Sequence, residues 1–303
     1  MGPTASGKTA LAVQLVQQFP CEIISVDSAM VYRGMDIGTA KPDEDTLKIA
    51  PHWLINIRDP AEPYSAAQFC EDASHAITDI FSRNKIPLLV GGTMLYFRAL
   101  QKGLSELPSA DAGIRQKILT EAEDLGWPAL HDKLLKKDPA SAARIHPHDS
   151  QRIQRALEVL EMTGQPLSVL HQVKQKKFED HSIVNIAIAP KDRSILHDRI
   201  ATRFHQMLAF GFVDEVRALF AREDLSIEMP AIRSAGYRQV WLYLQGKLNY
   251  SEMETRGIIA TRQLAKRQLT WLRHWPNVIG FDSEAKDLYD QVVKYISQLA
   301  MIN

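Results

Sequence analysis

The sequence predicts an α/β fold, in which a parallel-sheet core is interrupted by a helical insertion domain and completed by a helical C-terminal region. Three observations predict it. Two short apolar runs of strand character, 21–28 and 86–90, flank helical periodicity at 66–84, the strand, helix, strand rhythm of a parallel sheet. From 114 to about 177 the strand signal vanishes and helical cues accumulate, and a third apolar run at 183–189 restores it. Finally, Gly2-Pro3-Thr4-Ala5-Ser6-Gly7-Lys8-Thr9 has the form G-x-x-x-x-G-K-[ST], the strand-to-helix loop of P-loop NTPase-like cores.

That loop leads directly into an amphipathic run, 10–18, that reads as a helix. Its glycines let consecutive backbone N–H groups turn inward around phosphate oxygens; Lys8 adds a point charge, and Thr9 can ligate Mg²⁺ at a helix N-terminus. Such a loop ordinarily marks a nucleotide-binding or ATP-binding site, and it requires at least a pyrophosphate-bearing ligand. It normally hangs from a buried strand. Only Met1 precedes Gly2, so the first strand is missing: the start is truncated or misassigned, or the strand lies outside this chain.

The run 21–28 delivers Asp27 to the sheet edge where ligands of open α/β sheets bind. A carboxylate there can hold Mg²⁺ or accept a proton, and the alternative is a turn or cap aspartate. Asp27-Ser28-Ala29-Met30 is too short to decide. The strand at 86–90 enters Gly91-Gly92-Thr93, where the Thr93 hydroxyl either reaches a phosphate or nucleophile or caps a helix starting near Met94. This strand lacks the Walker-B aspartate of motor-type NTPases, which argues against ATP hydrolysis.

At Leu107-Pro108-Ser109-Ala110-Asp111 the pattern changes, dividing the chain into a core (1–110 and 183–303) and a helical insertion (111–182). Helical cues in the insertion are the turn at Gly126-Trp127-Pro128, the break at Asp138-Pro139, and the run 149–163 closed by Gly164-Gln165-Pro166. Gln151-Arg152-Ile153-Gln154-Arg155 sets two arginines three apart, so two cations and two amides can meet a phosphate backbone; alone, the pattern is a solvated face. His146, His148 and Asp149 have no metal-ligand spacing and read as a loop. From 195 onward the chain is mainly helical, closing with an amphipathic run at 285–299.

At 303 residues and 45% hydrophobic, the chain can bury a large core, and its two cysteines, Cys21 and Cys70, read as core packing in a reducing compartment. No apolar run approaches the length of a membrane helix, so the expected location is the cytosol, with no membrane partner. The 36 basic and 36 acidic residues cancel. Locally they do not: 256–273 holds Arg256, Arg262, Lys266, Arg267 and Arg273 and no acidic residue. Gln263, Gln268, Thr270 and Trp271 are interleaved with these cations, a mixture suited to phosphate contacts and base stacking, against the plainer reading of a solvated helix. Arg203 and Arg233 cannot be judged from pattern.

Seven ordered motifs spanning nearly the whole chain resemble the bacterial tRNA dimethylallyltransferase family. They are the phosphate loop, Asp27-Ser28-Ala29-Met30-Val31-Tyr32, Asp36-Ile37-Gly38-Thr39-Ala40-Lys41-Pro42, and Gly91-Gly92-Thr93-Met94-Leu95-Tyr96. Further along come Gln151 to Arg155, Ile232-Arg233-Ser234-Ala235-Gly236-Tyr237-Arg238 and Lys266-Arg267-Gln268-Leu269-Thr270-Trp271-Leu272-Arg273. The resemblance implies transfer of a dimethylallyl group from dimethylallyl diphosphate to the N6 amine of adenosine 37 in tRNA. It implies that the loop from Gly2 to Thr9 holds that diphosphate with Mg²⁺, that Asp27 is the general base, that Thr93 contacts the reacting centre, and that Arg203 joins Lys8 and Thr9 on the leaving group. Asp27 to Met30, Thr93, Arg115 and the last three motifs would meet the tRNA anticodon stem-loop, the protein acting as a monomer. An adenylate isopentenyltransferase shares the loop but acts on a free nucleotide; the insertion and the basic segment argue for tRNA.

Overall fold

The computed structural model describes residues 1–105, 107–171 and 182–300. The chain packs as two compact units, Met1–Arg98 with Asp180–Asn303, and Ala99–Glu179.

The first unit opens with α1 (Lys8–Gln18), which buries Leu11, Ala12 and Leu15, and β1 (Cys21–Val26) follows. After α2 (Glu44–Ile49) and the two-residue β2 (His52–Trp53) comes α3 (Ala66–Ser82), started by a capping box between Ser65 and Gln68. Next come β3 (Ile86–Gly91) and α4 (Met94–Lys102). The sheet is parallel, in the order β2-β1-β3, with Cys21 to Val26 registered on Ile86 to Gly91. β1 is buried because α1 and α3 cover it, and both cysteines are buried with it.

The second unit is helical: α5 (Ala112–Leu125), α6 (Trp127–Lys137), the short α7 (Pro139–Ala142), α8 (Ser150–Thr163) and α9 (Leu167–Leu170). Asp111, Asp138 and Asp149 cap α5, α7 and α8, and Ile118, Leu130, Leu134, Ile153 and Val159 close its own core. The end of the helical stretch expected near 177 lies outside the described residues.

Back in the first unit, β4 (Asn185–Ala189) leads into α10 (Arg193–Ala209), α11 (Phe212–Phe220), α12 (Tyr237–Leu244) and the long α13 (Tyr250–Arg273). A strand then interrupts the run expected to be helical: β5 (Val278–Asp282) pairs in parallel with β4 before α14 (Leu288–Ala300). Five residues broken by Gly280 are too short for a periodic signal, and Asn277, at φ 51°, supplies the turn that separates them from α13.

The described strands therefore form two sheets, β2-β1-β3 and β4-β5. Leu88 of β3 and Ile186 of β4 share one apolar cluster with Leu11, Leu15 and Ile188. No strand precedes α1 among the described residues. Met1 lies along β4, its amine donating to Ile186 O at 2.7 Å and its carbonyl accepting from Ile188 N at 2.9 Å. β1 is almost wholly buried, whereas most of β3 is only half-buried and Ile86 is 56% exposed, as befits an edge. Burial, aided by the Lys8 charge, pushes the Met1 amine down to about 5.

An apolar strand of five residues joined ahead of Met1 should raise the melting temperature by several degrees. Each buried side chain contributes roughly 1.5–3 kcal/mol against about 1–2 kcal/mol of backbone ordering, and the buried amine disappears. An unchanged midpoint in thermal unfolding would rule out a strand site between β3 and β4.

Candidate active site

The phosphate loop curls at the N-terminus of α1. Gly7 is left-handed at φ 83°, and so is Ala5 at φ 61°, a conformation that a residue with a Cβ adopts at a cost of roughly 1–2 kcal/mol. The Lys8 ammonium donates to Pro3 O within the same loop at 2.6 Å.

Thr4, Ala5, Lys8 and Thr9 line a cavity of about 450 Å³ together with Asp27, Ser28, Ala29, Met30 and Thr93. Asp27 follows the last residue of β1, and its Oδ1 accepts from Ala29 N at 2.8 Å and Met30 N at 3.3 Å. The turn role considered for this aspartate is therefore real, but it occupies one carboxylate oxygen. Among the described residues no hydrogen bond engages Oδ2. Thr93 does not use its hydroxyl to cap α4: Oγ1 accepts from Ser28 N at 3.0 Å and lies 3.4 Å from Ser28 Oγ, while its own N–H donates to Val26 O. The ends of β1 and β3 approach so closely that a Cβ on Gly91 would sit 2.0 Å from Val26 O.

Arg203 enters the same cavity from α10 and donates to Thr39 O at 3.4 Å. Lys8, Arg203 and Asp27 act on one another: burial pushes Lys8 down to about 8, with Asp27 drawing it up and Arg203 lowering it further. Arg203 is likewise lowered by burial and raised by Asp27. Two cations and one carboxylate in a half-buried space leave net positive charge for an anion.

Of the tRNA contacts expected in the last two motifs, Arg233, Ser234, Ala235, Tyr237, Arg267, Gln268 and Trp271 line the cavity, with Arg233 and Arg267 exposed. Arg98 lies over the Trp271 ring at 5.7 Å. Lys266, Thr270 and Arg273 are exposed on α13, and Arg238 is half-buried.

Several residues of the same motifs do other work. Tyr237 is fully buried and donates to Glu215 Oε1 at 2.5 Å, and Gly236 is its buried N-cap. Leu272 is core, and Leu269 packs on Leu196, Ile200 and Ala265. Gln268 is also buried, with both ends of its amide bonded inside the protein. In the second unit Ile153 belongs to the core, so the expected row of contacts from Gln151 to Arg155 is broken. Arg155 does not present its charge beside Arg152, because it donates to Glu158 Oε2 at 2.8 Å and to Pro108 O at 2.7 Å. Arg115 also binds Glu158, at 3.0 Å. Glu158 is fully buried, and although burial pushes its carboxyl up, the two arginines and Asp111 N–H hold it below the ordinary range. Gln151 and Arg152 are exposed; Arg152 pairs with Asp149, and Gln154 donates to Arg115 O at 3.4 Å.

A family model described as IPP transferase matches residues 30–275. The chain belongs to the IPP transferase family. Among its IPP transferase relatives, the tRNA dimethylallyltransferase of Coxiella burnetii is 57% identical over 301 residues, covering 99% of this chain and 100% of the relative. The solved tRNA isopentenylpyrophosphate transferase of Bacillus halodurans is 37% identical with a TM-score of 0.71, over 98% of this chain and 94% of that one. A eukaryotic dimethylallyltransferase acting on tRNA, 27% identical, superposes with a TM-score of 0.79 over 98% of this chain and 76% of that one.

Sequence reasoning missed one determinant of this IPP transferase cavity. Glu215 on α11 accepts from Asp36 N at 2.8 Å, Ile37 N at 2.7 Å and Gly38 N at 3.1 Å, besides the Tyr237 hydroxyl. A carboxylate thus fills a nest of backbone amides and fixes the loop whose Gly38, Thr39 and Ala40 line the cavity. A glutamate on an amphipathic helix gives no local signal of this. Phe204, Met207 and Leu264 add an apolar wall that was likewise unreadable.

Proposed function

We propose that this chain transfers a dimethylallyl group from dimethylallyl diphosphate to the N6 amine of adenosine 37 in tRNA, releasing diphosphate. The observation that carries this reading is that Lys8, Thr9, Arg203, Asp27 and Thr93 line one cavity. Membership of the IPP transferase family supports it.

In this reading the amides of the P-loop NTPase-like loop, from Gly2 to Thr9, with Lys8 and Arg203, bind the diphosphate, and Phe204, Met207 and Leu264 hold the five-carbon tail. As the allylic C–O bond breaks, negative charge grows on the leaving oxygens, where Lys8 and Arg203 stabilise it. The amine nitrogen forms the new C–N bond and becomes acidic, and Asp27 Oδ2 takes the proton, with Thr93 beside the reacting nitrogen. Thr9 suits Mg²⁺, an ion that binds through one or two protein oxygens plus substrate phosphates; no cluster of three or more acidic, histidine or cysteine ligands exists among the described residues. When bound there, Mg²⁺ would supply further charge neutralisation on the diphosphate.

Lys266, Arg267, Arg273 and Arg233 would grip the anticodon stem-loop, with Trp271 offered for stacking. Adenosine must leave the loop stack to enter the cavity, a step that single-stranded loops permit at modest cost. Among the described residues no helix is long and apolar enough to cross a membrane. Incubation with labelled dimethylallyl diphosphate, Mg²⁺ and unmodified tRNA should put label on tRNA; label on free adenylate instead would overturn the substrate.

Arg267→Ala and Arg273→Ala should each weaken tRNA binding across sequences and reduce the slope of log affinity against log salt by about one. Titrations at several salt concentrations check this, and an unchanged slope in both variants counts against a backbone grip by α13.

A further inference from the structure

Gln268 lies in the motif expected to touch tRNA, yet it is only 8% exposed. Its side chain joins the two loops of the cavity: Oε1 accepts from Thr4 N at 2.8 Å, and Nε2 donates to Gly92 O at 2.9 Å. Thr4 belongs to the phosphate loop, and Gly92 immediately precedes Thr93. An amide is suited to this place because it is donor and acceptor at once; a carboxylate has no donor, and an ammonium has no acceptor. Gly92 makes the approach possible, since a Cβ there would lie 2.3 Å from Gln268 Nε2.

The link has particular weight here. Among the described residues β3 pairs only with β1, so no ladder of strand hydrogen bonds ties it to the phosphate loop. Gln268 also sits on α13 between Arg267 and Trp271, both of which line the cavity, and near the exposed Lys266 and Arg273.

We propose that Gln268 is a positioning residue that sets the separation of the phosphate loop from the Thr93 loop, and so couples the seating of α13 on tRNA to the alignment of the two substrates. The proposal rests on the prenyl-transfer reading above. Carbon and nitrogen react productively when held about 3–3.5 Å apart, and a misplacement near 1 Å costs about 100-fold. Gln268 borders the cavity as well, but both ends of its amide are already engaged by Thr4 and Gly92. It acts through the two backbones it holds.

Three variants test this. Gln268→Leu removes both bonds; Gln268→Glu keeps the acceptor for Thr4 but turns a carboxylate on the Gly92 carbonyl; Gly92→Ala displaces the amide from the opposite side. The severe clash falls on the end of the Gln268 side chain, and Gly2 O, at 3.1 Å from the added Cβ, need give by only a few tenths of an ångström, so this variant should fold, and it carries the test if the others do not. We expect kcat to fall about 10- to 100-fold in both Gln268 variants and about tenfold in Gly92→Ala, with KM for tRNA within threefold of the parent. The double variant Gly92→Ala with Gln268→Leu should be no slower than the slower single, because both disrupt one contact. A residue that merely supports folding would lower the melting temperature and leave kcat of the folded protein intact.

A kcat within threefold of the parent in a folded Gln268 variant, or fully additive losses in the double, overturns the proposal. Affinity for inorganic pyrophosphate, measured by calorimetry, separates the two readings. If the parent puts no label on tRNA, the reaction assignment fails. The Thr4 half of the proposal still requires pyrophosphate to bind about tenfold more weakly to Gln268→Leu, and unchanged affinity there rejects it.

Discussion

Replacing Asp27 by asparagine should lower turnover by about 10²- to 10⁴-fold while leaving tRNA affinity within a few-fold of the parent. Asparagine keeps a side-chain oxygen in place, so the turn in which Asp27 Oδ1 accepts from Ala29 and Met30 N–H persists. Only the basic Oδ2 and the charge are lost. Asp27→Ala removes the turn as well and should be slower still, and less stable. A secondary effect follows from electrostatics: Asp27 raises both Lys8 and Arg203, so in the asparagine variant Lys8 should lose its proton at lower pH than in the parent. Single-turnover rates with saturating donor isolate the chemical step. Turnover of Asp27→Asn within fivefold of the parent would remove Asp27 from the role of base.

The lining of this cavity was legible wherever one short segment carries it. A loop whose glycines, lysine and threonine have fixed spacing is local, as is an aspartate placed by the end of an apolar strand. The structure brings Thr9, Asp27 and Thr93, each carried by its own motif, into one cavity with Arg203, which lies in no motif and could not be placed from pattern. What escaped notice depends on tertiary partners. Gln268, Tyr237 and Arg155 look like surface polar residues in a basic helix, a turn and an amphipathic face, yet each is spent on a partner far away in sequence: Thr4 and Gly92, Glu215, and Pro108. Periodicity places Ile153 on a helix without saying that its side chain faces the core. β5 and the two-residue β2 were missed because strands this short owe their existence to the neighbour they pair with. A motif read as one functional block is therefore a mixture: in the segment from Lys266 to Arg273, exposed cations alternate with residues that build the cavity from behind.

Replacing Lys8 by alanine should cost about 10²- to 10³-fold in kcat, comparable to removing a donor from a site of developing charge, because the diphosphate carries more charge as it leaves than when bound. The parent also offers a pH signature. Burial holds Lys8 at about 8, so in the free protein it is protonated below that pH and increasingly neutral above it. Diphosphate binds the protonated form. Below pH 8 donor affinity should therefore be flat with respect to this group; above it, binding must be accompanied by proton uptake, and affinity should fall by up to tenfold per pH unit. Lys8→Ala should bind donor weakly at every pH and lose that limb. Calorimetric binding of pyrophosphate in buffers of different ionisation enthalpy measures the proton uptake directly. A parent that takes up no proton above pH 8, or a Lys8→Ala variant with kcat within threefold of the parent, would mean that the lysine folded against Pro3 O never turns to the leaving group.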